Sequence, residues 1–171
     1  MSKRDLKKYL SELNKEQLED QFFELYDKFR AVKVYYDFVF NPNEKKLVKE
    51  AKLKISNEYF PICGKNPKMR RSTAQKIIKH FITLGVDPYI IADIMLYNIE
   101  IAQSLCSERK INQEAFYKSM LHSFEQALSF IIEKGVLNDY KSRVVAIKEE
   151  SILQNWSNKY EFNTIVERFD Y

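Results

Sequence analysis

The chain has 171 residues, 45% of them hydrophobic, which is ample for one buried core without disulfide or metal staples. Only 3 Gly and 4 Pro are present, poor material for the turns of a sandwich or barrel, so the expected class is all-α. The net charge of +4 is unevenly spread: from Lys45 to Lys79 eleven Lys or Arg stand against Glu50 and Glu58, a local +9 that leaves −5 on the remainder, and this asymmetry points to an anionic partner or an internal counter-charge.

Several classes are disfavoured at once. No stretch approaches the ~18 consecutive apolar residues of a membrane span. The basic start, Met1 to Tyr9, runs into alternating charge rather than the apolar core of a secretory signal. Two unspaced cysteines, Cys63 and Cys106, define neither a disulfide framework nor a metal cluster. A reducing cytoplasm is the expected setting, with no cofactor.

In chain order, Ser2 with Asp5 caps a short helix through Leu6, Tyr9, Leu10 and Leu13, and Asn14 with Gln17 forms a capping box before Leu18, Phe22, Leu25 and Phe29. Residues 31–40 fit two patterns. Val32, Val34, Tyr36, Phe38 and Phe40 alternate as a strand would, but no segment offers a partner strand, so helix is the expectation. Asn41-Pro42-Asn43-Glu44 reads as cap, Pro at the first helical position and a Glu reaching back, starting a helix that runs to about Glu58. Its Lys45, Lys46, Lys49, Lys52 and Lys54 make one side wet and positive.

A loop with Gly64 and Pro67 follows. Ser72 with Gln75 is expected to cap the next helix, whose Ala74, Ile77, Ile78, Phe81 and Ile82 face inward until Gly85. Asp87-Pro88 starts a helix so broadly apolar that it belongs at the centre, and Asn98 on its inward face needs a buried hydrogen-bond partner. Asn112 is expected to cap a helix to about Lys134, before Gly135, and the short connection predicts an antiparallel hairpin with the central helix. Asn138 caps a further helix, and Trp156 with Phe162, Ile165, Val166 and Phe169 docks back on the bundle.

The expected architecture is a single-domain, multi-helix bundle of antiparallel hairpins. Residues 1–60 form aromatic and basic N-terminal helices, 61–71 a loop, and 72–171 the helical core. An irregular solenoid-like stack stays open, although no repeat of fixed period is present.

The candidate chemistry is thin. His122 and Glu125 lie three apart and could ligate a metal, yet they share a polar helix face with Lys118, Gln126, Ser129 and Glu133 and lack the paired Glu-x-x-His motif of a di-metal bundle. His80 has no relay partner in sequence, and Cys63 has no base. Gly64-Lys65 lacks the glycine and strand of a phosphate loop.

The basic stretch is more informative. Arg70 and Arg71 precede a helix N-terminus, where the macrodipole makes cations unfavourable by roughly 0.3–1 kcal/mol each. Three reliefs stay open: an external phosphate held by Arg70, Arg71 and Ser72, with Lys65, Lys68, Lys76, Lys79, Lys45 and Lys49 adding field; acids of other helices such as Asp93 or Glu100; or water alone.

Three stretches, Lys7–Leu18 (KKYLSELNKEQL), Tyr35–Glu44 (YYDFVFNPNE) and Lys68–Lys76 (KMRRSTAQK), resemble a bacterial family labelled domain of unknown function 6155. The resemblance implies a bacterial, cytoplasmic, stand-alone helical protein and brings no catalytic residues. From the residues themselves, a protein-binding or scaffold module is favoured over an enzyme, because Tyr9, Phe23, Tyr26, Tyr35 and Tyr36 are too many for one narrow buried stripe. The alternative is nucleic-acid or phosphate binding through residues 45–79.

Overall fold

The computed structural model describes residues 2–62 and 66–168, and among these it contains nine helices and no strand. They are α1 (Lys3–Ser11), α2 (Lys15–Lys28), α3 (Arg30–Phe40), α4 (Glu44–Tyr59), α5 (Arg71–Leu84), α6 (Pro88–Glu108), α7 (Glu114–Glu133), α8 (Leu137–Leu153) and α9 (Lys159–Glu167). The chain is all-α, and residues 31–40, which also fit a strand pattern, lie within helix. It divides into two compact units, Met1–Asn43 and Glu44–Tyr171. The boundary puts α4 with the helices that follow it, packed on α5 and α6, rather than with the N-terminal helices that its charge resembles.

In the first unit both capping boxes form as the spacing predicts. The Asp5 amide donates to Ser2 Oγ at 3.2 Å while the Ser2 amide donates to Asp5 Oδ2 at 2.9 Å. Gln17 N donates to Asn14 Oδ1 at 2.8 Å, and Asn14 N to Gln17 Oε1 at 3.0 Å. α2 packs on α3 through an edge-on contact of Phe22 with Tyr36, ring centres 4.9 Å apart, and Tyr26 Oη donates to Asp37 Oδ1 at 3.3 Å. No residue of α1, α2 or α3 is buried.

The second unit holds the core. α6 packs against α4, α5, α7 and α8, and Ala92, Ile94, Leu96, Ile99, Ala102 and Leu105 on it are all fully covered. Burial on that scale, at ~1.5–3 kcal/mol for each large aliphatic side chain, is the main source of stability. Asn98 is buried as expected, and its partner is the Tyr59 hydroxyl of α4, which donates to Oδ1 at 3.1 Å. Trp156 is also buried, edge-on to Phe116, Tyr117 and Phe162. Phe169 lies outside the described residues.

Three helices stop by one device. α5 ends with Val86 N donating to Phe81 O and Gly85 N to Ile82 O; α7 ends with Val136 to Ile131 and Gly135 to Ile132; α8 ends with Trp156 to Ser151 and Asn155 to Ile152. The pivot residues have positive φ: 73° at Gly85, 71° at Gly135 and 55° at Asn155. Each is followed by a buried apolar residue, as this motif favours.

Four helix starts differ from the sequence expectation. α4 begins at Glu44, not Pro42, with the Glu44 carboxylate accepting from the Asp87 amide at 3.4 Å. α5 begins at Arg71 without a side-chain cap from its own sequence; Ser72 is one residue inside. The cap of α7 is Gln113 rather than Asn112. α8 begins at Leu137, ahead of Asn138, because Val136, docked by the end of α7, is already its cap position.

Candidate functional site

The basic segment is organised by one acid, Glu58, at the C-terminal end of α4. Its carbonyl accepts from the Lys68 and Met69 amides, both at 3.0 Å, folding the chain back past Met69, whose φ is 51°. Its carboxylate then accepts from Arg70 Nη2 at 2.8 Å and Nε at 3.0 Å, and from Thr73 Oγ1 at 2.9 Å. The carboxylate thus sits at the start of α5, the position where an anion is favoured. Hydrogen bonds from Arg70 hold the Glu58 carboxyl below its usual pKa, against the upward push of burial.

Arg71 points elsewhere. Its Nε donates to Ser123 Oγ at 2.9 Å and Nη2 to Gln126 Oε1 at 2.7 Å, with the Gln75 side-chain amide beside the same guanidinium. These partners on α7 are neutral, and partial burial shifts the guanidinium pKa downward. The two arginines therefore diverge: one clasps α5 to α4, the other α5 to α7.

Asp93 and Glu100, the acids named from sequence as internal partners, do not take this role. They hold Arg143 of α8: Asp93 Oδ1 accepts from Nη1 at 2.7 Å, and Glu100 accepts from Nε and Nη2, each at 2.8 Å. Asp93 also pairs with Lys52 at 2.7 Å. Glu58 was counted only as a minority acid within a basic run. The signal that could have found it is its place in the last turn of α4, where the helix dipole disfavours a carboxylate unless a cation meets it.

Of the remaining anion-binding candidates, Lys45 and Lys49 lie exposed on α4, Lys68 on the turn, and Ser72, Lys76 and Lys79 on α5. Lys65, like Cys63 and Gly64, lies outside the described residues. Lys79 lines an open groove of about 620 Å³ between α5 and α7, floored by Ile78, Ile82, Met95 and Phe130. His122 and Glu125 stand on its rim 3.7 Å apart, each about half exposed, as a solvated helix face would have them. His80 is exposed on α5. Cys106 is half-buried, and burial pushes its thiol up to about 11, which leaves it a poor nucleophile. Among the described residues no three His, Cys, Asp or Glu converge on one point, and no helix is long and apolar enough to cross a membrane.

The other exposed chemistry is apolar. Of the aromatics singled out in the sequence, Tyr9, Phe23 and Tyr35 are exposed, and Tyr26 and Tyr36 are half-covered. Phe40, at 75% exposure, is the most open of the large apolar side chains in the first unit.

The chain belongs to the family described as "Family of unknown function (DUF6155)", whose model matches residues 1–170. No curated protein and no solved structure matches it.

Proposed function

We propose that this chain is a protein-binding module without catalysis, working in the bacterial cytoplasm, and that Met1–Asn43 supplies its docking surface. What supports the reading is a single observation: three amphipathic helices, two of them closed by capping boxes, in which no residue is buried. Of the 18 large apolar side chains exposed among the described residues, eleven lie in this unit, which is about a quarter of the chain. Exposed apolar side chains concentrated in this way favour an interaction surface.

Affinity capture with the tagged chain tests it, using both bacterial extract and an untagged copy of the chain as prey. A protein recovered in stoichiometric amount should fall at least tenfold with the triple variant Leu10→Ser, Phe23→Ser, Phe40→Ser. No recovered protein of either origin, or equal recovery by the variant, contradicts the reading.

Phosphate or nucleic-acid binding through the basic segment is the second reading. Arg71 favours it, since its described partners are neutral and it sits at the N-terminus of α5 beside exposed Lys68 and Lys76. The pairing of Arg70 with Glu58 and of Lys52 with Asp93 weakens the field. Affinity for a short DNA duplex that drops steeply between two salt concentrations would support this second reading; a flat or absent response removes it.

A further inference from the structure

The helices of the N-terminal unit differ in charge as well as lying open. α1 carries four cations against Asp5, a net +3, and α2 carries two cations against five acids, a net −3. The whole unit has eight Lys or Arg and eight Asp or Glu, so two such units brought together do not repel by net charge. The open stripes lie on these same two helices: Leu6, Tyr9 and Leu10 on α1 are 40%, 44% and 37% exposed, and Leu18, Phe22 and Leu25 on α2 are 38%, 38% and 46% exposed.

The area suits a stable interface. Taking roughly 150–250 Å² for each whole large side chain, the exposed fractions of the eleven apolar residues leave on the order of 1,000 Å² uncovered, about half of it on the α1 and α2 stripes. A standard interface removes about 800 Å² from each partner. A unit of this length is also at the lower limit at which a chain closes a core alone, and below it association commonly supplies the missing burial.

Building on the protein-binding reading, we infer that the partner is a second copy of this chain, in a two-fold dimer where α1 of each copy lies against α2 of the other. A self-complementary patch is what a two-fold axis requires, and a +3 helix beside a −3 helix in one unit provides it in both directions. Lys3 and Lys7 flank the apolar stripe of α1, and Glu19 and Glu24 flank that of α2. Among the described residues Glu19 and Glu24 pair with Lys15 and Lys28 of their own helix, at 3.6 and 3.9 Å on the surface, pairs of the weakest kind. A basic amphipathic helix alone would also suit an anionic bilayer. However, α1 is tied to acidic α2 by the hydrogen bond from Gln21 Nε2 to the Tyr9 hydroxyl, and such a bilayer repels α2.

Two charge-reversed chains test the inference, one with Lys3→Glu and Lys7→Glu on α1, the other with Glu19→Lys and Glu24→Lys on α2. Sedimentation velocity on the wild-type chain at tens of micromolar should give twice the 20.5 kDa chain mass. Each variant alone should dissociate at least tenfold more readily, and an equimolar mixture of the two should return to the doubled mass, since each −α1 then meets a +α2 across the axis. Trp156 fluorescence reports in every sample that the second unit stays folded.

A mixture that stays monomeric, or variants that dimerise as tightly as the wild type, overturns the arrangement. A wild-type monomer overturns the inference altogether, and so does co-sedimentation of that monomer with phosphatidylserine vesicles. If the monomer still captures a different protein through Leu10, Phe23 and Phe40, the protein-binding reading stands without this partner; if it captures nothing, both fall.

Discussion

Replacing Glu58 by Gln separates the clasp from the rest of the basic segment. The wild-type carboxylate receives three side-chain hydrogen bonds from Arg70 and Thr73, with its own side chain only 10% exposed. Gln keeps the shape and one acceptor but turns an amide NH₂ toward the guanidinium. Charge-assisted hydrogen bonds contribute ~1.5–3 kcal/mol when shielded from water. Arg70 is 56% exposed, and water screens its share, so the expected loss at pH 7 is about 1–2 kcal/mol.

Because Arg70 holds the Glu58 carboxyl below its usual pKa, that stabilisation is complete above about pH 4.3, the usual carboxyl value. It disappears as pH falls through the lowered native value. Urea unfolding followed by Trp156, the one Trp of the chain and 2% exposed, measures both conditions. The variant should unfold at lower urea than wild type at pH 7, with the gap closing toward pH 3. An unchanged midpoint at pH 7, or a gap of equal size at both pH values, would refute the clasp.

Three further substitutions probe the frame. Arg143→Met removes both contacts to Glu100 and the one to Asp93 and should cost about 1–3 kcal/mol, read by the same unfolding curve; a neutral result would show that the α6–α8 tie is only surface decoration. Tyr59→Phe leaves the buried Asn98 oxygen without its donor and should cost about 1–3 kcal/mol, while Tyr59→Phe combined with Asn98→Leu should recover part of it. At Asn155, with φ of 55°, Thr should lower stability by about 1–2 kcal/mol and Gly should stay within about 1 kcal/mol of wild type; equal behaviour of Thr and Gly in thermal melts would contradict the left-handed stop.

What the sequence made legible follows from local chemistry. Two capping boxes, the Asp87-Pro88 start and the stops at Gly85 and Gly135 depend on residues within a few positions of each other, and each forms as read. The wide apolar surface of α6 likewise marked it as the helix that others cover. The misread starts at Ser72, Asn112 and Asn138 had suitable cap residues, but Glu58 took the place beside Ser72 and the end of α7 set the start at Leu137, while α7 starts one residue later than read, with no side-chain cap. Asn155 escaped notice because Asn is weaker than Gly as a left-handed signal, although the Trp that follows it was recognised as a core residue.

The site was legible only in outline. Charge density located the segment around Arg70 and Arg71, and the helix dipole favoured an anion there. It could not choose among acids, since Glu58, Asp93 and Glu100 are all consistent with sequence; only the path of the chain past Met69 brings Glu58 to Arg70. The division at Asn43 was hidden for a similar reason, because the lysines of α4 resemble the charged helices before it while Ala51, Ile55 and Tyr59 on its other side pack into the core.

The central claim is that another protein chain, a second copy by our inference, covers α1, α2 and α3. Amide hydrogen exchange at two concentrations of the purified chain, sub-micromolar and about 100-fold higher, tests it most directly, because helices without buried residues open readily when alone. The account predicts that protection of residues 3–40 rises with concentration while protection of α6 stays constant. Protection of residues 3–40 that is the same at both concentrations would contradict it.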